Sequence, residues 1–304
     1  QAIISAAQMI ALDECDFAVA GGVESMSQSP YVAKSMRWGQ KMGDGIMIDA
    51  MNAVLTDPFG AGHMGVTAEN IAKRHNITRE EQDALAAESH RRALLAQRED
   101  RFRNQIVPVE IKTRRGSTFF EVDEHVRSDV SEAGLAKLHP VFFKDGGTVT
   151  AGNSSGLNDA GAALVLASAA AAKTRGLRPR ARVVAWGHAG VAPEVMGLGP
   201  VEAVPIALKR AGISLDQVEV IEANEAFAAQ ACAVAKLLNF SPDKVNPNGS
   251  GIGLGHPVGA TGAIITLKAL CELERIGGRY GLVTMCIGGG QGIALVIERL
   301  SNVH

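Results

Sequence analysis

Three side chains in the C-terminal third of the chain have the chemistry to transfer protons or to hold a polar group beside a reacting atom: Asn224, His256 and Cys286. Imidazole and thiol groups can be tuned to exchange protons near neutral pH. A carboxamide offers both a donor and an acceptor to a water molecule or a substrate. The sequence around each residue indicates whether it serves chemistry or packing.

The segment around His256 is rich in glycine. The run 246–262 (NPNGSGIGLGHPVGATG) contains six glycines in 17 residues. Glycine permits positive φ angles and close backbone approach, and a packed core needs neither at this density. A histidine at a loop-to-helix junction can simply hydrogen-bond the end of the helix. The glycines favour a functional role instead.

Cys286 ends an apolar strand and is followed by Ile287 and three glycines, 288–290. A cysteine in that place is ordinarily a small apolar side chain. The backbone N–H groups that the glycines expose can instead bind an oxyanion or lower the pKa of the thiol. Asn224 lies between a strand and a helix, where asparagine is also a favoured N-cap. A cap and a water-holding role are compatible.

The elements that must position these residues follow one pattern at both ends of the chain. An apolar-periodic helix begins at Ala2, and a short buried strand, Phe17–Ala20, ends in two glycines. Near the C-terminus a helix over 260–274 precedes a strand, Tyr280–Ile287, that also ends in glycines. Continuous apolar strands alternating with helices predict α/β layers with sheets buried on both faces. The recurrence predicts two related halves.

The region between the halves has a different texture. It is rich in interleaved charges and carries one long predicted helix over 79–99. We interpret most of these charges as a solvated surface, with a few basic residues left to meet ligand phosphates. The predicted organisation is an N-terminal half, an inserted loop domain for ligand contacts and oligomerisation, and a C-terminal half with the catalytic residues: residues 1–26 with 157–180, 27–156, and 181–304.

Composition narrows the function classes. The chain has 304 residues and a formal net charge of −2, which gives no general field for binding nucleic acid. Its longest apolar stretch, 160–172, reads as a buried strand or helix and is shorter than the ~20 residues that span a bilayer. The four cysteines form neither a zinc pattern nor a disulfide framework. We therefore expect a cytoplasmic protein that uses neither a metal nor a redox cofactor and binds no membrane.

The order Asn-Glu-Ala-Phe from Asn224, Gly-His-Pro around His256 and Cys-Ile-Gly-Gly-Gly from Cys286 closely resembles the thiolases, the acetyl-CoA acetyltransferases and 3-ketoacyl-CoA thiolases. The likeness runs the whole length of the chain. The run 245–251 (VNPNGSG) looks most like bacterial biosynthetic or broad-specificity β-ketothiolases. Further matching segments are AGGVESMS at 20–27, HMGVTAEN at 63–70 and TVTAGNSSGLND at 148–159.

The resemblance implies a thiolase-like α/β fold, in which two related halves form a layered α-β-α-β-α core. It implies a reversible Claisen condensation of two acyl-coenzyme A thioesters through an acyl-cysteine. His256 is then the base that activates the nucleophilic thiol before it is acylated, and a donor to the thioester oxyanion. Cys286 moves the proton at the α-carbon, Asn224 holds a water beside His256, and the Gly288 N–H serves a second oxyanion hole.

Contacts with coenzyme A also carry over from the family. The apolar members of this set are expected either to flank a pantetheine tunnel or to pack in the core. Arg127 would pair with a phosphate or stack on adenine, and Ser155 would bond a pantetheine amide. The full set is Leu55, His63, Met64, Arg127, Phe142, Ser155, Met196, Ala226 and Phe227.

Thiolases carry the acylated cysteine in a Cys-Gly-Ser-Gly-Leu-type loop just before the helix on which this chain opens. We expect that loop upstream of Gln1, facing His256, because Cys15, Cys232 and Cys271 do not replace it. Two alternatives stay open: a degradative 3-ketoacyl-CoA thiolase of fatty-acid oxidation, and a truncated, non-catalytic chain that binds coenzyme A. The resemblance implies a homodimer or homotetramer.

Overall fold

The computed structural model describes residues 1–300. Within them the α-helices are α1 Ala2–Ala11, α2 Ala50–Val54, α3 Met64–His75, α4 Arg79–Arg98, α5 Glu132–Leu135, α6 Ala169–Thr174, α7 Gly199–Ala211, α8 Ala228–Leu238, α9 Gly251–Leu254 and α10 Thr261–Ile276. The strands are β1 Phe17–Ser25, β2 Tyr31–Val32, β3 Ile48–Asp49, β4 Val109–Thr113, β5 Gly116–Phe120, β6 Asp159–Ala167, β7 Ala181–Gly190, β8 Val218–Ala223, β9 Tyr280–Ile287 and β10 Gln291–Arg299.

The larger sheet carries the C-terminal half. Its strand order is β7-β10-β9-β8, with β8 parallel to β9 and the other pairs antiparallel. Helix α7 packs on one face of this sheet, where Ala203, Val204 and Ala207 are buried. Helix α10 covers the other face through Ile265, Ala269 and Leu273. Both faces are therefore buried, as the continuous apolar strands predict.

The smaller sheet pairs β1 with β6 in antiparallel register. Helices α1 and α10 contact both of its strands, and α10 also contacts the larger sheet. Ile3 and Ile4 of α1 join Val283 of β9 and Leu295 of β10 in one apolar core. The predicted layering of sheets and helices is confirmed, with α10 at the centre of the molecule.

Two local predictions for the smaller sheet are wrong. The strand at Phe17 does not end at the two glycines but continues through them to Ser25, because an uninterrupted ladder pairs Gly21 and Gly22 with Ala163 and Ala162. Nor is it buried on both faces, since Val19 is 75% exposed. The apolar stretch 160–172 is likewise split between β6 and α6, and alternate residues of β6 face outward.

The inserted region packs through its helices. Helix α4 begins with a capping box in which Thr78 and Glu81 satisfy each other's backbone N–H groups. Helix α3 packs against α8, and α4 packs against α8 and α9, so this region is anchored to the C-terminal half. The β4–β5 hairpin is exposed along its length.

Across residues 1–300, no helix has the length and apolar character needed to cross a membrane.

Candidate active site

A cavity of about 390 Å³ lies where the inserted region meets the C-terminal half. Its walls are mostly apolar, with the imidazole of His256 and the thiol of Cys286 among the few polar groups. This combination is typical of a site for a largely apolar ligand with a reactive polar centre. The predicted residues that line it are Leu55, His63, Met64, Phe142, Ser155, Met196, Ala226, Phe227, His256, Cys286 and Gly288.

His256 is held by contacts to its backbone and its ring. The His256 N–H donates to Asn158 Oδ1 over 3.2 Å. Gly255 has a φ of +94°, and a Cβ there would lie 2.3 Å from Asn158 Oδ1, so this approach requires glycine. On the ring, Nδ1 lies 2.7 Å from Thr261 Oγ1. Burial lowers the pKa of His256 to about 4, so the ring is a neutral base at pH 7.

Asn224 follows β8 and contacts the other ring nitrogen. Its Nδ2 lies 3.2 Å from His256 Nε2, and its backbone N–H donates to Thr284 O on β9. Asn224 is not the helix cap that the sequence allowed, because α8 begins only at Ala228. Its buried Oδ1 has no hydrogen-bond partner among residues 1–300. An orphaned acceptor beside a base is the environment that a bound water would complete.

Cys286 lies at the end of β9 with its thiol in the cavity, and the turn into β10 starts two residues later at Gly288. The sequence raised the possibility that neighbouring N–H groups lower the pKa of this thiol. That expectation is wrong for the protein without ligand, because burial raises the pKa of Cys286 to about 12. The thiol is therefore protonated at neutral pH and is an acid before it is a base.

A buried ion pair between Lys268 and Glu222 contacts the glycine-rich segment 246–262 through the Gly249 carbonyl. Lys268 of α10 donates to Glu222 over 2.9 Å and to the Gly249 carbonyl over 2.5 Å. Both side chains are almost fully buried, at 4% and 0% exposure. Desolvation raises the pKa of Glu222 to about 7, against the opposing effect of Lys268. The pair connects β8, α10 and the segment that leads to His256.

We expect Lys268→Met to destabilise the protein by about 3–5 kcal/mol, because it leaves the Glu222 carboxyl buried without its partner. Urea unfolding followed by circular dichroism measures the loss. Lys236→Met is the matched control, since Lys236 is exposed and reaches only the His75 carbonyl at 3.5 Å. Equal stability of the two variants would contradict this assignment.

The structure separates some predicted residues from the site. Arg127 does not line the cavity, and its backbone N–H donates to His90 Nδ1 over 3.3 Å. Cys15, Cys232 and Cys271 also lie outside the lining; Cys232 contacts Glu81 O and Cys271 contacts Arg180. None of them can accept an acyl group in this cavity.

Sequence reasoning missed two residues that hold His256, Asn158 and Thr261. Asn158 lies 98 residues before His256, and no local pattern relates the two positions. Thr261 follows His256 by five residues in the first turn of a helix, which was a usable signal. Glu24 adds a third restraint on this segment, accepting from the Gly259 N–H over 3.0 Å.

Sequence models of two domain families match this chain. One, described as the thiolase N-terminal domain, covers residues 1–170, and the other, described as the thiolase C-terminal domain, covers residues 177–299. The chain belongs to the thiolase family. The resemblance drawn from the Asn224, His256 and Cys286 segments is thus confirmed at the level of the family.

Individual thiolases show the same relation. A beta-ketothiolase of Cupriavidus necator, BktB, is 60% identical over 300 residues, which span 99% of this chain and 76% of that protein. The crystal structure of the Bacillus anthracis acetyl-CoA acetyltransferase superposes with a TM-score of 0.96 at 51% identity. The match covers 99% of this chain and 76% of that chain. The crystal structure of human mitochondrial 3-ketoacyl-CoA thiolase in complex with CoA superposes with a TM-score of 0.95 at 43% identity. This match covers 99% of this chain and 75% of that chain. The predicted thiolase fold is confirmed.

Proposed function

We propose that this thiolase chain carries the proton-transfer and oxyanion-binding part of an acetyl-CoA C-acyltransferase site. The observation that carries the proposal is the convergence of His256, Cys286 and the Gly288 backbone on one mainly apolar cavity. The reaction is the reversible condensation of acyl-CoA with acetyl-CoA to 3-ketoacyl-CoA. The 60% identity to a beta-ketothiolase favours a broad-specificity biosynthetic enzyme.

The acyl group itself needs a nucleophile. Cys286 is the thiol in the cavity, and we assign it to proton transfer. We therefore propose that the acylated thiol comes from a segment outside these 304 residues, which reaches the cavity beside His256. The polypeptide that contains both this segment and the present chain is called the full-length protein below.

Cleavage of a 3-ketoacyl-CoA then proceeds in two balanced steps. First, His256 Nε2 takes the proton of the nucleophilic thiol, the thiolate attacks the 3-keto carbon, and the C2–C3 bond breaks. The departing α-carbon takes the Cys286 proton and leaves as acetyl-CoA. Second, the Cys286 thiolate deprotonates incoming coenzyme A, whose thiolate takes the acyl group, and the nucleophile recovers its proton from His256. Condensation is the reverse.

The two perturbed pKa values suit these assignments. His256 is neutral at pH 7 and so presents a lone pair to a thiol. Cys286 is protonated and so holds the proton that the α-carbon receives. The Gly288 N–H at the cavity edge is our candidate donor to the tetrahedral oxyanion, and the Asn224 side chain is our candidate holder of a water beside His256.

The apolar wall of the cavity suits a pantetheine arm. His63 stacks on Phe142 with ring centroids 4.9 Å apart, and Phe142 meets Phe227 edge to face at 6.4 Å. His63 Nδ1 accepts from the Gly65 N–H, which leaves the Nε2–H as a donor for a pantetheine amide. Ser155 offers a hydroxyl in the same cavity. Arg127, outside the lining, is proposed only for the nucleotide end.

We further propose a homo-oligomer in the cytoplasm. One outward face of the smaller sheet exposes Val19, Val23 and Val165 by 74–77%. Branched apolar side chains on a strand surface favour burial, either under the segment outside these 304 residues or against a second copy of the protein. Light scattering of the full-length protein tests this arrangement, and a monomer at micromolar concentration would contradict it.

Acetyl transfer tests the proposed function directly. We expect the full-length protein to gain the mass of one acetyl group on incubation with acetyl-CoA, and to cleave acetoacetyl-CoA when coenzyme A is added. The 304-residue chain alone should do neither, because its four cysteines offer no second thiol in the cavity. Stoichiometric acetylation of Cys286 in that chain would overturn the assignment. Rates with longer 3-ketoacyl-CoAs separate the broad-specificity enzyme from a degradative one.

A further inference from the structure

The ring of His256 is held at Nδ1 by the hydroxyl of Thr261, which takes no part in the proton transfers proposed above. Thr261 Oγ1 lies 2.7 Å from His256 Nδ1 and 2.9 Å from the Pro257 carbonyl oxygen. Thr261 is 2% exposed, so water does not compete for either bond. We propose that Thr261 is a positioning residue, which fixes the proton of neutral His256 on Nδ1 and keeps the Nε2 lone pair directed into the site.

The direction of the hydrogen bonds supports this tautomer. A threonine hydroxyl has one proton, and the Pro257 carbonyl can only accept it. When the Thr261 hydroxyl donates to the Pro257 carbonyl, its oxygen accepts from His256, and this arrangement requires a proton on Nδ1. At the other nitrogen, Asn224 Nδ2 is itself a donor and lies 3.2 Å from Nε2. A lone pair on Nε2 satisfies both ends of the ring.

The backbone makes the same arrangement rigid. The Pro257 carbonyl also accepts the N–H groups of Ala260 and Thr261, so the first turn of α10 is closed around it. Thr261 is therefore fixed by the helix, and it fixes the ring five residues earlier. A proton on Nδ1 is needed throughout the proposed cycle, because His256 alternates between neutral and doubly protonated forms while only Nε2 exchanges.

Thr261 also differs from a carboxylate in the same place. An acidic partner would stabilise the charged imidazolium and raise the pKa of the ring. A hydroxyl orients the ring without adding charge, so it is compatible with a buried histidine that is neutral at pH 7. Within residues 1–300, the partner of His256 Nδ1 is the Thr261 hydroxyl and not a carboxylate. Thr261 therefore orients the His256 ring and does not raise its pKa.

The first test reads the tautomer without catalysis. Nitrogen-15 spectra of the histidine rings in the full-length protein at pH 7, without substrate, should show His256 protonated on Nδ1 and unprotonated on Nε2. In Thr261→Val, which keeps the shape but removes the hydroxyl, we expect a mixture of both tautomers. Thr261→Ser should restore the single form. Protonation of Nε2 in the wild-type chain would overturn the proposal.

The catalytic part of this role rests on the function proposed above and is tested in the full-length protein. We expect Thr261→Val to lower kcat for acetoacetyl-CoA cleavage by about 10- to 100-fold with little change in KM, because the ring loses its fixed orientation and, once it has taken the thiol proton, a hydrogen bond to its charged form. Thr261→Ser should recover most of it. Thr266→Val is the matched control, since Thr266 is buried in the same helix and bonds only the Gly262 carbonyl.

The outcomes separate the two proposals. A wild-type protein with the Nδ1 tautomer but no thiolase activity would reject the proposed function and leave the positioning of the ring in place. An active wild-type protein whose Thr261→Val and Thr266→Val variants lose equal activity would reject a specific role for Thr261. Loss of activity in Thr261→Val with an unchanged tautomer would reject it as well.

Discussion

Replacement of His256 by alanine is expected to lower both acetyl-enzyme formation and acetoacetyl-CoA cleavage in the full-length protein by about 10³- to 10⁴-fold. The reason is that His256 serves the reaction twice. Its Nε2 takes the proton of the nucleophilic thiol, and the same N–H then returns the proton when the acyl group leaves. General acid–base groups of this kind contribute about 10²- to 10⁴-fold.

The measurement is the rate of acetyl incorporation from acetyl-CoA, followed by intact mass, together with the rate of acetoacetyl-CoA cleavage. The cavity should survive the change, because the segment is held independently by Asn158 at the His256 N–H and by Glu24 at the Gly259 N–H. His75→Ala is the control: His75 lies at the end of α3, outside the cavity lining. Normal acetylation of His256→Ala would remove His256 from the role of base.

The pH dependence of wild-type acetylation follows from the same residue. The pKa of His256 is lowered to about 4, so the base remains unprotonated down to that pH. We therefore expect protonation of His256 to cause no loss of acetylation between pH 7 and pH 5. The measurement must be paired with circular dichroism, because the unfolded state binds the proton at a higher pH than the folded state and stability falls from about pH 6.5 toward 4.

The strands of the core could be predicted because periodicity and glycine breaks are local. The strand 280–287 is found with the predicted bounds, since an apolar run between two glycine groups has few other structures open to it. The fate of Gly21 and Gly22 is not local. A Cβ at Gly22 would lie 1.9 Å from the Gly259 carbonyl oxygen, so this glycine allows close approach of the His256 segment. The sequence shows the glycine but not the neighbour.

The candidate site likewise contains residues that local sequence predicts and contacts that it does not. Asn224, His256 and Cys286 could be found because each lies in a distinctive local segment. The restraints on them could not, because Asn158 and Glu24 reach the His256 segment from the other half of the chain. The raised pKa of Cys286 cannot be predicted from the sequence for a related reason. Neighbouring N–H groups are visible in the sequence, whereas complete burial of a thiol is a property of the assembled fold.

Replacement of Cys286 by serine is the change that separates the two steps of the reaction. We expect acetylation of the full-length protein to stay within about threefold of wild type, because His256 activates the nucleophile and a coenzyme A thiolate is a good enough leaving group to depart without the Cys286 proton. Cleavage of acetoacetyl-CoA should fall by about 10²- to 10⁴-fold, since a serine hydroxyl is a far weaker acid than a thiol and its alkoxide is not formed near neutral pH.

Cys232→Ser controls for the general effect of replacing a sheltered thiol, because Cys232 lies on α8, packs against an apolar cluster outside the cavity lining and hydrogen-bonds the Glu81 carbonyl. Exchange of the α-protons of acetyl-CoA with deuterated water gives an independent reading, as it needs Cys286 but no second substrate. The variant should lose this exchange while it still accepts an acetyl group. If acetylation and cleavage fell by the same factor, Cys286 would be as necessary for acylation as for proton transfer at the α-carbon, and the division of roles between the imidazole and the thiol would be wrong.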